Sequence, residues 1–208
     1  MRGAILRTTK AVIVCIALCL ALVCQVLGQA HDRFENQCSS LRDATPPDLL
    51  RYLNEVTPDE ENGWCVTFAI HKLGRGRYEP AIPALVKLLN FRRPQTEAEK
   101  SFHGLSQELF PAQGALESIG KKALPEVLLA IKADSTSTTA RDNAVFVWME
   151  IYKYERAKGV ALLRHEQTKA NSDAIKQRLG EAVQKALTYC YNVAEEAACR
   201  RAATTDGP

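Results

Sequence analysis

Four histidines, seven cysteines and two adjacent glutamate pairs are the residues of this chain whose types could support chemistry. The spacing withholds most of it. His31, His71, His103 and His165 contain no HExxH or HxxH pair, the arrangement that sets two imidazoles on one helix face for a metal. There is no CxxC. Gly74-Arg75-Gly76-Arg77 lacks the further glycine and the Lys-Ser/Thr of a phosphate loop. Leu116-Glu117-Ser118-Ile119-Gly120 lacks the first glycine of a nucleophile elbow. Glu60-Glu61 and Glu195-Glu196 are neighbours in sequence, so from a helix they point apart and read as solvated. Trp64 and Trp148 read as packing residues, and His103 as a surface histidine in a long connection. The expectation is a chain that is not an enzyme and takes no metal or cofactor.

The cysteines point instead to covalent cross-links, once the start of the chain is set apart. Arg2, Arg7 and Lys10 precede the unbroken apolar run Ala11 to Cys24, and small residues follow near Gly28 and Ala30. This is the order of a secretory signal peptide over residues 1–30. Fourteen apolar residues make roughly 21 Å of helix against a hydrocarbon layer of roughly 30 Å; an uncleaved membrane anchor is the alternative. Removing the segment takes away Cys15, Cys19 and Cys24 and leaves Cys38, Cys65, Cys190 and Cys199. An even number in an exported chain makes disulfides plausible. Four cysteines allow three pairings; Cys38–Cys65 and Cys190–Cys199 are favoured. Nine residues of straight helix would hold Cys190 and Cys199 about 13.5 Å apart, beyond the ~7 Å that a disulfide spans. That pair therefore requires a helix end between them, near Asn192.

The same subtraction removes three of the 27 Lys and Arg and none of the 24 Asp and Glu, so the mature part has no net charge. The bulk field that would attract nucleic acid or an anionic membrane is absent.

The elements that position these residues read as helices throughout. Residues 31–44 are a polar, irregular lead-in. Thr45-Pro46-Pro47-Asp48 opens a helix, with Leu49, Leu50, Leu53 and Val56 at helical spacing. A second helix runs from Asn62 to Leu73, with Gly74 as its stop, and a third from Pro80 to Leu89. Phe91 to Leu109 is a polar insertion. Pro111 to Ile119 is a helix stopped by Gly120, and Ala123 to Ala133 returns from it, with Pro125 in the first turn where no hydrogen bond is broken. Thr139 to Tyr154, Glu155 to Lys169 (interrupted at Gly159) and a final helix from Ser172 through Cys190 follow. Residues 200–208 read as a frayed tail. No alternating strand pattern occurs, and the fold class is all-α.

One pattern recurs. Ala69-Ile70-His71-Lys72-Leu73-Gly74 aligns with Ala115-Leu116-Glu117-Ser118-Ile119-Gly120 at an offset of 46. Ala81-Ile82-Pro83-Ala84-Leu85-Val86 aligns with Ala123-Leu124-Pro125-Glu126-Val127-Leu128 at an offset of 42. A fainter third copy begins near Arg141, with Ala144 in the inward position. The period and the two helices per unit resemble HEAT-like repeats, of the type also found in phycobilisome lyases. The resemblance covers residues 62–155 well and the flanks poorly. It implies a short α-solenoid of stacked antiparallel helix hairpins over residues 45–199, in which neighbours bury what one hairpin cannot. Small alanines at 69, 115 and 144 would permit close approach. It also implies that the second helices line an interaction face, with Lys87, Glu126 and Lys132 on it. The expected function is a non-catalytic exported scaffold or adaptor that binds another protein, no nucleic acid and, once the signal is cleaved, no membrane. The alternatives are a lyase-like enzyme related to the bilin lyases and a structural envelope-associated protein.

Overall fold

A computed structural model describes residues 38–59, 61–96, 109–191 and 193–204. The expected signal peptide, His31, His103, most of the 91–109 insertion and residues 205–208 lie outside them. The chain divides into two compact units, Met1–Asp43 and Ala44–Pro208. The described part of the first is one 3-10 turn, Ser39–Leu41.

The second unit is all helix and connection, with no strand among the described residues. Helix α1 (Pro46–Glu55) starts as its sequence dictates. The Thr45 side chain accepts from the Asp48 amide while Asp48 accepts from the Thr45 amide, closing a capping box behind two prolines. Helix α2 (Gly63–Arg75) buries Val66, Ala69, Ile70 and Leu73. Glu79–Ala81 is a 3-10 turn leading into α3 (Ile82–Lys87), a shorter α-helix than the sequence pattern predicts. Helices α4 (Pro111–Ile119) and α5 (Leu124–Lys132) sit within a residue or two of expectation, joined by the 3-10 turn Gly120–Ala123. Helix α6 (Thr138–Ile151) is capped by Ser137, whose side chain accepts from the Ala140 amide. Helices α7 (Arg156–Lys169), α8 (Asp173–Leu187) and α9 (Val193–Thr204) complete the unit.

Helix α2 packs on α4 and α4 on α6; α3 packs on α5 and α5 on α8; α7 packs against both α8 and α9. Ile70, Leu73, Leu85, Leu116, Ile131, Met149, Leu163 and Leu179 are fully buried along these contacts. Each such side chain contributes about 2 kcal/mol relative to exposure. Buried Asn143 donates to the Leu89 carbonyl and so ties α6 to the chain just past α3.

Further expectations change. Gly74 does not stop α2: it lies inside the helix, buried, and Gly76 is the cap. Gly159 does not interrupt α7. A Cβ there would lie 3.0 Å from Tyr152 Cβ, and its carbonyl accepts from Trp148 Nε1 at 2.9 Å, so glycine seats the helix against that aromatic pair. Ser172 stands at the start of α8 without a side-chain capping bond. Helix α9 continues past Arg200 to Thr204, where a frayed tail was expected.

The helix break between Cys190 and Cys199 is as their bond requires. Helix α8 ends at Leu187, α9 begins at Val193, and the two alpha carbons are 6.8 Å apart in the disulfide. The bond fastens α9 beside a buried cation. The Arg156 side chain is only 8% exposed and pairs with Glu150 and Glu195, each at 3.4 Å. It also donates to the Tyr189 and Lys153 carbonyls and lies over the Tyr191 ring. Glu195 is therefore a structural partner, in contrast to the solvated reading of Glu195-Glu196. Charges withdrawn from water are tolerated only when paired and hydrogen-bonded in this way.

Candidate binding groove

The face expected to bind, on the second helices, does not converge. Lys87 is exposed on α3 and Glu126 half-buried on α5, and neither makes a side-chain hydrogen bond or ion pair with a described residue. Lys132 is turned to Glu166 of α7, with Nζ and Oε2 2.5 Å apart. Its charge serves the packing of α7 on the rest of the unit.

An open groove of about 460 Å³ lies elsewhere, along the line where α2 meets α4. Gly74 makes that meeting close. A Cβ on Gly74 would stand 2.6 Å from Ala115 Cα and 2.7 Å from Ala115 Cβ, distances that only glycine escapes. His71, Arg75 and Arg77 come from the α2 side, Gly114, Glu117 and Ser118 from α4, and Lys153 from the turn after α6.

The wall at Arg77 has an unusual backbone. Tyr78 N–H donates to the Leu73 carbonyl and Arg77 N–H to the Gly74 carbonyl. This is the Schellman closure of a helix, whose left-handed position is ordinarily glycine. Here that position is Arg77, at φ 48°, and glycine stands one residue earlier. The floor has the opposite oddity. Gly114 lies inside α4, carries no positive φ, and a Cβ on it would meet no atom of a described residue within 4 Å. Neither packing nor backbone geometry calls for glycine there.

The electrostatics are cationic. Arg75 and Arg77 are exposed and make no side-chain hydrogen bond or ion pair with a described residue. Lys153 is paired with Glu117 at 3.0 Å, and that hydrogen bond raises the lysine's pKa. His71 is exposed at the surface, yet partial desolvation beside the helix pair lowers its pKa, and the charges of Arg75 and then Arg93 lower it further. The imidazole is thus neutral near pH 7 and surrounded by positive charge.

Of the residues singled out by sequence, all four cysteines are disulfide-bonded, Cys190 with Cys199. Disulfides persist in oxidising compartments, and the two bonded pairs suggest such an environment for this chain. No helix among the described residues is long and apolar enough to cross a membrane, and none of their His, Cys, Asp and Glu side chains form a group placed to hold a metal. The groove residues Arg75, Arg77 and Gly114 were missed as a site. The available signal was a mid-helix glycine where the aligned copy carries Phe68, combined with the Gly-Arg-Gly-Arg run. No family model, curated protein or solved structure matches this chain.

Proposed function

We propose that the chain is a non-catalytic, exported scaffold that binds another protein, and that residues 45–199 form a short solenoid of HEAT-like helix hairpins. Support for the architecture comes from α2, α4 and α6 packing in succession and from α3 packing on α5; α7, the helix that follows α6, packs on α8 and α9. In a stack of this kind each unit contacts its neighbours, and the seams between units are extended surfaces suited to a protein partner. The observation that carries the binding role is the open groove on the α2–α4 seam, with two arginines that satisfy no described residue. Surface charge left without an internal partner on a rigid helix pair is available for recognition.

The test has two parts. The tagged full chain is cross-linked and recovered from the exported fraction; one stoichiometric companion protein supports the reading, and recovery of the chain alone in every fraction overturns it. The N-terminus of the recovered protein is sequenced: a start near Gln29 or His31 fits a cleaved signal, and retention of Met1 removes the cleaved-and-exported part of the proposal.

A further inference from the structure

Two residues at the groove go against their local preference, and both departures keep it open and charged. An L-residue in the left-handed region costs roughly 1–2 kcal/mol, and the structure has that cost at Arg77. Glycine inside a helix costs roughly 1 kcal/mol relative to alanine, and α4 has that cost at Gly114 with no atom of a described residue nearby to require it. Exchanging the preferences, glycine at 77 and alanine at 114, would suit the fold better. Sequences depart from local consistency chiefly at functional sites.

We propose that the α2–α4 groove binds an acidic segment of a partner protein, whose carboxylates meet Arg75 and Arg77 while its backbone lies across Gly114. The proposal rests on the scaffold reading above and names the chemistry of the partner. Arginine is suited to the role because its planar fork engages a carboxylate through two parallel N–H donors. The positive side of the groove is Arg75, Arg77, Lys153 and, when protonated, His71; Glu117 already neutralises Lys153. The surplus therefore sits on the α2 wall, beside the glycine floor. The shape favours a chain segment over a small anion. A groove this open leaves an inorganic ion in water, where a single ion pair is worth little, whereas a segment can gain from several contacts at once. The close Gly74–Ala115 approach fixes the spacing of the two walls, so little order has to be imposed on binding.

The test uses the full disulfide-bonded chain and a fluorescein-labelled hexaglutamate peptide, with binding read by anisotropy. The expected result is saturable binding that weakens as salt is raised from about 20 to about 200 mM, as exposed charge pairs are screened. Arg77→Gly and Gly114→Leu should each weaken it at least tenfold, the first by removing charge and the second by filling the floor. Arg77→Gly should not lower the thermal midpoint, which separates lost binding from lost folding. Lys169→Gln, which removes an equal charge from an exposed site at the end of α7, should leave affinity within twofold. Binding indifferent to Arg77→Gly and Gly114→Leu would overturn the assignment. So would inorganic phosphate or an oligothymidylate binding as tightly as the peptide, which would make the groove a site for free anions or nucleic acid. The companion captured from the exported fraction distinguishes the two levels. If it is recovered equally by the groove variants, the scaffold reading stands and the groove assignment falls; if no companion exists, the scaffold reading falls whatever the peptide does.

Discussion

Gly74 and Gly120 occupy the same place in the two copies of the repeated run, 46 residues apart, and different forces hold glycine at each. Gly74 is buried in the body of α2, pressed on the backbone of Ala115. Gly120 closes α4 at φ 78° and ψ −145°, with no described residue where a Cβ would be. One is a contact requirement and the other a conformational one. The chain of the first copy turns later, at Arg77, so its glycine is released from the turn and used in the seam. Elsewhere in the run the copies also diverge. Phe68, under the ammonium of Lys72, aligns with the empty Gly114, and His71 aligns with Glu117. A repeat at the level of core alanines and leucines thus carries two different surfaces.

Valine at position 74 should produce the largest effect. Its Cβ would fall at 2.6 Å from Ala115 Cα, a backbone atom that moves only if α4 moves. Overpacking of this kind costs about 3 kcal/mol, read as a lower urea midpoint. A loss under about 1 kcal/mol would mean the seam is looser than its geometry states and would remove the distinction between the two glycines. Gly120→Ala should cost about 2 kcal/mol, because that backbone region is nearly closed to any residue with a Cβ. Here no atom clashes, so enlarging the side chain further should add little. At position 74 each added methyl should matter. Comparing Ala with Val at both sites therefore separates steric from conformational cost.

Much of this is legible in the sequence. The helix start at Thr45, the α4–α5 pair and the break between Cys190 and Cys199 each rest on local rules: a hydroxyl beside free amides, proline in a first turn, the reach of a disulfide. The all-helical class follows from the 3.6-residue spacing of the apolar positions. What sequence could not show was which of two available forces acts on a given residue. Glycine after a leucine-rich helix reads as a stop, and at Gly120 it is one; at Gly74 the deciding atom belongs to Ala115, 41 positions away in the chain. Lys132 looked free for a partner because Glu166 lies on a distant helix. The groove was hidden for the same reason, since Arg77 and Gly114 become neighbours only when α2 meets α4.

Smaller effects of opposite sign should come from the groove itself. Gly114→Ala should raise stability by about 1 kcal/mol, the helix-propensity difference, with no clash to offset it. Arg77→Gly should raise it by about 0.5 kcal/mol, since relief of the left-handed strain is partly offset by the freer unfolded chain. Both are measurable as upward shifts in the thermal midpoint. Destabilisation by either would show that the fold itself needs these residues, and the contrast with Gly74 and Gly120 would close.

The smallest effect should be a pH dependence belonging to the first copy alone. Where α4 presents Glu117, paired with Lys153, α2 presents His71 among arginines. Desolvation first, and then the charges of Arg75 and Arg93, hold the imidazole below its ordinary value in the folded state, against about 6.5 in the unfolded chain. Between those two values the unfolded state binds more protons, so stability rises with pH across that window. The contribution is complete above about pH 6.5 and is lost as pH falls through the folded pKa. His71→Gln should flatten this part of the curve of midpoint against pH and leave the region above pH 7 unchanged. A slope that survives the substitution would assign the effect to other groups and remove the electrostatic half of the contrast between the copies. Arg75→Gln should reduce the slope without abolishing it, because desolvation, the larger cause, remains.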